Sequence, residues 1–240
     1  MLNRNWLWLI ARLGVVLILG LIAAIYYFGG GGGEKEFQKS LDALKQVHSF
    51  RASYSGMPSG YQHSELLWEI DCDRQIVHQQ QHVKPTVAQR ADGSPAEEFT
   101  RDEVYVKGHQ YQHLDDGGWL PLRIVWQGGS AKWYCMNLAQ GTDTNVLPPI
   151  ATMLKRGILQ KGDKKTVNGV HCREWLVTMK GPLANLEHDT VCLGLDDHLP
   201  YEMTVDWQGS HSSFSDYNKP IQFDLPEAAV QPASAADGSN

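Results

Sequence analysis

The chain has no Gly-x-Ser-x-Gly elbow, no His-Glu-x-x-His, no Walker loop and no Gly-x-Gly-x-x-Gly. The local signatures of α/β-hydrolases, zincins, P-loop enzymes and dinucleotide-binding folds are therefore missing. It also has no Cys-x-x-Cys pair, which removes zinc knuckles and thioredoxin-like redox motifs. Basic runs are scarce. The lysines and arginines are dispersed, Lys164-Lys165 are the only adjacent lysines, and the net charge is −6 with a pI near 5.9, which argues against a nucleic-acid partner.

The ten histidines are scattered. His109 and His113 lie in a stretch that reads as a strand, where with Tyr111 they point one way about 13 Å apart, a solvated strand face and not a metal pair. Asp115-Asp116-Gly117-Gly118 lacks the ligand spacing of an EF-hand and reads as a turn. Asp196-Asp197-His198 has no nucleophile beside it and reads as a polar hairpin turn before Leu199-Pro200. These residues predict a protein that is not an enzyme and takes no metal or cofactor.

What is present begins with Trp6 to Phe28, interrupted only by Arg12. A bilayer core needs roughly 20 predominantly apolar helical residues, so this run predicts a transmembrane signal anchor if Arg12 snorkels to the N-terminal interface. Trp6 and Trp8 mark one headgroup level, Tyr26 and Tyr27 the other. Arg4, Arg12 and the terminal amine place residues 1–5 in the cytoplasm and the C-terminal domain in the periplasm or extracellular space, on a single-pass protein of the inner membrane. A cleaved signal peptide is the competing reading, but the run ends in the bulky Ile25-Tyr26-Tyr27-Phe28 and not in a small-x-small site before a polar segment.

Behind the anchor, Gly29 to Gly33 reads as a flexible linker, 34–226 as one domain and 227–240 as a disordered tail. Phe37, Leu41, Leu44 and Val47 recur at helical spacing over Glu34 to His48. From Ser49 the period becomes two, with Phe50, Ala52 and Tyr54 alternating with polar residues. Strand-like runs follow at Ser64–Asp71, Arg74–Gln81, Ala96–Arg101, Glu103–Leu114 and Ala131–Met136. A short helix is expected from Pro148 to Arg156, with proline at its start and Gly157 past its end. Further strands are expected at Ile158–Gly162, Cys172–Met179, Thr190–Leu195, Tyr201–Trp207 and His211–Tyr217.

The fold class is thus α+β. About ten short strands form a large antiparallel sheet, curled by its twist into a half-barrel, with the N-terminal and mid-chain helices over its concave face. Such a shape encloses an apolar cavity. The four cysteines, Cys72, Cys135, Cys172 and Cys192, fall in the exported part, where two disulfides are the expected state. Cys172 and Cys192 lie in runs that read as successive strands, which favours their pairing and leaves Cys72 with Cys135 by elimination.

The run FQKSLDALKQVHSFRASYSG resembles the opening of the periplasmic lipoprotein-carrier family with the LolA/LolB-like fold. There a leucine-spaced helix ends in a pattern matched here by Val47, Ser49, Phe50, Ala52 and Tyr54. Leu66-Leu67-Trp68 resembles the next strand and Val104-Tyr105-Val106 a later one. The ending from Phe214 to Ile221, with Pro226 beyond, is similar to lipid-binding lipoproteins of the LppX/LprG type. The resemblance implies a hydrophobic cavity for lipid or lipoprotein acyl chains and no cofactor. The acidic Asp71-Cys72-Asp73 departs from the family's basic residue before a proline, so no lid-controlling residue is carried over.

The expected cavity lining is Phe50, Tyr54, Trp68, Tyr105, Trp175, Met203, Val205 and Trp207, with Ile150, Met153 and Leu154 from the covering helix. The leading expectation is a membrane-tethered extracytoplasmic protein holding lipid or acyl chains. The alternatives are a sensory or protein-interaction domain with another envelope protein as partner and, least favoured, an envelope hydrolase.

Overall fold

The computed structural model describes residues 31–57, 62–86, 97–122, 131–144, 146–179, 188–206, 209–223 and 225. The expected anchor, Trp207 and the C-terminal tail lie outside the described residues. Among the described residues no helix is long and apolar enough to cross a membrane.

Among the described residues three helices, α1 (Gly31–Leu44), α2 (Ala131–Gln140) and α3 (Ile150–Arg156), accompany eleven strands. The first six are β1 (Ser49–Gly56), β2 (Gln62–Asp71), β3 (Ile76–Pro85), β4 (Phe99–Val106), β5 (His109–His113) and β6 (Trp119–Leu122). The other five are β7 (Gly157–Val167), β8 (Val170–Met179), β9 (His188–Gly194), β10 (Pro200–Val205) and β11 (Ser210–Ser215).

All eleven form one sheet in the order β6-β5-β4-β3-β2-β1-β11-β10-β9-β8-β7. The chain starts at the centre, meanders out to β6, crosses through α2 and α3 to the far edge at β7, and meanders back until β11 pairs antiparallel with β1. The sheet is open, with β6 and β7 as its edges. Tight turns set the register at two hairpins: Lys107-Gly108 and Asn168-Gly169 all have positive φ, as two-residue hairpins of matching twist require.

Register separates two faces. Phe50, Ala52 and Tyr54 stand opposite Ile70, Trp68 and Leu66 on the face that the helices cover. α1 seats Phe37 there, fully buried and edge-on to Trp175 at 6.0 Å, and α3 adds the buried Ile150 and Met153. The other face carries Arg51, Glu69, His78 and Asp102 on neighbouring strands. At its β4–β5 end a second cluster of Ile76, Val104, Val106 and Tyr111 packs against Trp119, Phe223 and Leu225.

Several expectations need correction. Gly31 to Gly33 are not linker but the first turn of α1; a Cβ on Gly33 would stand 2.8 Å from the Leu159 Cβ and 3.2 Å from the Trp175 ring, so the helix start is pressed onto β7 and β8. Ala131–Met136 is not a strand but the first part of α2, which buries Ala131, Tyr134 and Leu138 at helical spacing. The boundary between the fourth and fifth strands falls at Lys107-Gly108 and not at Asp102, and β6, unexpected in sequence, adds a short edge.

Both disulfides join the expected partners. Cys72–Cys135 ties the β2–β3 turn to α2, and Cys172–Cys192 links β8 to β9 diagonally across the outer face, since Cys172 pairs with Gly194 and Cys192 with Glu174.

Candidate functional site

The helix-covered face has two zones. In the first, beneath α1 and α3, side chains fill the space: Phe37, Phe50, Ile150, Met153 and Trp175 are all buried in one cluster. In the second, towards the other end of the same strands, the apolar residues are only half-buried. Tyr54 lies opposite Leu66 on β2 and Ser212 on β11, and Ser212 lies opposite Met203 on β10. Trp68 neighbours Leu66 along β2, and Val205 neighbours Met203 along β10. These five side chains, on β1, β2 and β10, make a strip across the sheet centre that is apolar but for Ser212 of the intervening β11, and each is partly exposed. Burial of apolar surface there would release water at about 25 cal/mol per Å².

The structure therefore divides the residues expected to line a cavity. Phe50, Tyr105, Ile150, Met153 and Trp175 are core positions, enclosed by neighbours. Trp68, Leu154 and Met203 sit at the margin of that core. Tyr54 and Val205 extend the margin outward.

Polar groups are placed sparingly on this face. The buried Tyr105 hydroxyl donates to Glu103 Oε2 at 3.1 Å and accepts from Gln110 Nε2 at 2.8 Å. Burial and the Glu103 carboxylate push the Tyr105 phenol well above its ordinary pKa. Burial likewise raises Tyr54, against a hydrogen bond with Ser210. Both hydroxyls thus stay neutral, as an apolar ligand surface requires.

The outer face is the polar counterpart. Arg51 Nε and Nη1 donate to Glu69 at 2.6 Å and Asp216 at 2.8 Å. His78 lies 2.9 Å from Glu69 and 2.7 Å from Asp102; burial pulls its pKa down, but the two carboxylates outweigh it and the net direction is up. Lys165 bridges Glu174 and Glu202, and His211 joins Glu202 at 2.8 Å. A cleft of about 480 Å³ opens at the end of β1, β2 and β3, lined by Ser53, Leu67, Gln80, His82 and Asp102 of this face together with Tyr54 and Leu66 of the other. Among the described residues no group of three or more His, Cys, Asp or Glu is arranged to hold a metal ion.

The fragments weighed in sequence have local roles. Asp197 accepts hydrogen bonds from the Leu199 amide and the Tyr201 hydroxyl, closing the turn between β9 and β10, while His198 faces Glu36 of α1 at 3.1 Å. His113 packs edge-on against Trp119 at 4.9 Å. Asp116 accepts from the Gly118 amide within the β5–β6 turn.

No family model and no curated protein matches the chain. The crystal structure of LprF from Mycobacterium bovis is similar over 82% of this chain and 98% of that one, with 10% identity and a TM-score of 0.56. The chain has a LolA/LppX-like fold. A structure of the Pseudomonas aeruginosa MucA/MucB complex matches over 84% of this chain and 61% of that one, with 13% identity and a TM-score of 0.40. The LolA superfamily protein NE2245 from Nitrosomonas europaea matches over 83% and 97%, with 8% identity and a TM-score of 0.26.

Two features of this LolA/LppX-like sheet were not found by sequence reasoning. Leu66 completes the strip, and the alternation of β2 with Trp68 was the signal for it. A bulge in β7 turns Lys161 and Lys164 to one face; nothing in the local sequence but Gly162 marks it.

Proposed function

We propose that the domain holds lipid or lipoprotein acyl chains against the half-buried strip of Tyr54, Leu66, Trp68, Met203 and Val205, as a binding protein of the cell envelope without a chemical step of its own. The observation that carries this reading is the strip itself: apolar side chains left partly open at the centre of a sheet whose other covered half holds the buried cluster of Phe37, Phe50, Ile150, Met153 and Trp175. A monomeric protein rarely leaves such surface unused. The LolA/LppX-like fold supports it, since that architecture sets one sheet face beneath helices.

In the same reading, residues 6–28 anchor the chain in the inner membrane, residues 1–5 stay in the cytoplasm and the domain stands outside it, within reach of membrane lipid. Two disulfides suit an oxidising compartment. Acyl chains need no cofactor, and the buried Phe37, Phe50 and Trp175 would form the floor that stops the chain's end.

The test is native mass spectrometry on the chain from Gly29 onward, exported to an oxidising compartment and purified without detergent. The expected spectrum shows an added mass in the lipid range that disappears on organic extraction. A protein that is empty and also fails to bind fatty-acyl probes contradicts the proposal.

A further inference from the structure

A separate cavity of about 540 Å³ opens where the first turn of α1 meets β7, β8 and the β9–β10 turn. Trp175 forms part of its wall, and Lys39, Lys161, Lys164 and Arg173 converge on it with His198 and one carboxylate, Glu36. In a chain of net charge −6, four cations around one cavity are a local reversal of sign.

The convergence is built by the backbone. Lys161 and Lys164 are three apart, so on a regular strand they would point to opposite faces. The register of β7 against β8 shifts between them: Lys161 pairs with Trp175 and Lys164 with Arg173, three residues on one strand against two on the other. That bulge brings both lysines to the helix-covered face, the re-aiming that bulges provide. Arg173 Nη1 donates to the Gly162 carbonyl at 3.0 Å, holding the bulge and the guanidinium together.

The partners are unevenly distributed. Lys39 is paired with Glu36 at 2.8 Å, and Glu36 also faces His198. Among the described residues neither the Lys161 nor the Lys164 ammonium has an ion-pair or hydrogen-bond partner. Gly32 and Gly33 add the start of α1 to the rim, whose free amides favour negative charge.

We infer that this cavity binds a phosphate group, with Lys161, Lys164 and Arg173 as its ligands. Ammonium and guanidinium donors in charge-assisted bonds are the usual recognition of phosphate oxygens. Its source is the headgroup of an anionic phospholipid, because α1 begins only three residues after the apolar run that ends at Phe28. That source rests on the membrane reading proposed above; the phosphate chemistry does not.

The experiment measures acylation of individual lysines by an amine-reactive ester, read by mass spectrometry. The full chain is reconstituted in vesicles of phosphatidylcholine alone or of an equal mixture with phosphatidylglycerol, and inorganic phosphate is added to the first in a third arm. Lys155, exposed on α3, is the reference. The expected result is a several-fold fall in labelling of Lys161 and Lys164 with phosphatidylglycerol, reversed by high salt as screening requires. Lys39, which also lines the cavity, is expected to be protected with them, and in Lys161→Gln/Lys164→Gln that protection is lost while circular dichroism is unchanged.

Protection by inorganic phosphate without any by phosphatidylglycerol keeps the site and overturns the lipid source. Equal labelling in all three arms overturns the site. A chain that does not float with the vesicles sinks the membrane reading instead, and the phosphate arm then decides the site by itself.

Discussion

Removing the Cys72–Cys135 bridge should cost more stability than removing Cys172–Cys192, and should loosen α2 in particular. The first closes a sequence separation of 63 and the second one of 20. The unfolded-chain entropy that a crosslink removes grows with the logarithm of loop length, which gives about 4 kcal/mol for the first and about 3 kcal/mol for the second. The second bridge also joins strands that the sheet ladder already holds side by side, whereas the first is the covalent tie between α2 and the β2–β3 turn. The pairs Cys72→Ser/Cys135→Ser and Cys172→Ser/Cys192→Ser would be compared by urea unfolding, with hydrogen exchange of the α2 amides beside it. The account expects the larger loss, and faster exchange over Ala131–Gln140, in the first pair only. A first pair no less stable than the second, with α2 exchanging as before, would refute the argument that this bridge clamps a covering helix.

Three further outcomes follow from named contacts. Phe37→Ala should destabilise by about 3 to 5 kcal/mol in denaturant titration, the usual cost of emptying a buried aromatic site, because Phe37 is the residue that seats α1 against Trp175. Gly33→Ala should lower the melting temperature despite the roughly 1 kcal/mol helix preference of alanine, since the new Cβ would stand 2.8 Å from the Leu159 Cβ. His78 has a raised folded-state pKa between Glu69 and Asp102, so its contribution is complete below its unfolded pKa of about 6.5 and fades as pH rises through the raised value. His78→Gln should therefore lose stability chiefly on the acid side of that window and little well above it; an equal loss at every pH by thermal unfolding would contradict the charged clamp.

The sheet was legible because its central strands alternate cleanly. Met203 and Val205 on β10, and Phe50, Ala52 and Tyr54 on β1, carry the covered face in their own spacing and the structure keeps that register, while Tyr201 falls at a bulge between Pro200 and Glu202 and still joins the buried core. Cys172 and Cys192 could be paired from the adjacency of their strands, while Cys72 and Cys135 could be paired only by elimination. α2 was misread because Ala131, Trp133 and Cys135 alternate with Lys132, Tyr134 and Met136; the helical spacing emerges only when Leu138 is included. The glycine run was misread because helix propensity is a weak prior, here overridden by the close seat of Gly33 on Leu159 and Trp175. β6 was hidden by its shortness and by Pro121, which an edge strand tolerates. Of the expected site, Tyr54, Trp68, Met203 and Val205 lie on the open strip, whereas Phe50, Tyr105 and Trp175 belong to the core. Period-two spacing gives the face but not the depth, because depth depends on where the helices lie.

Photo-crosslinking with a fatty acid carrying a diazirine near its chain end, followed by peptide mapping, tests the central claim most directly. The account expects adducts on β2 and β10 at Leu66, Trp68 and Met203, reduced when Met203 is replaced by lysine. Adducts confined to the outer-face residues Ser53 and Leu67, or none in the domain, would contradict it.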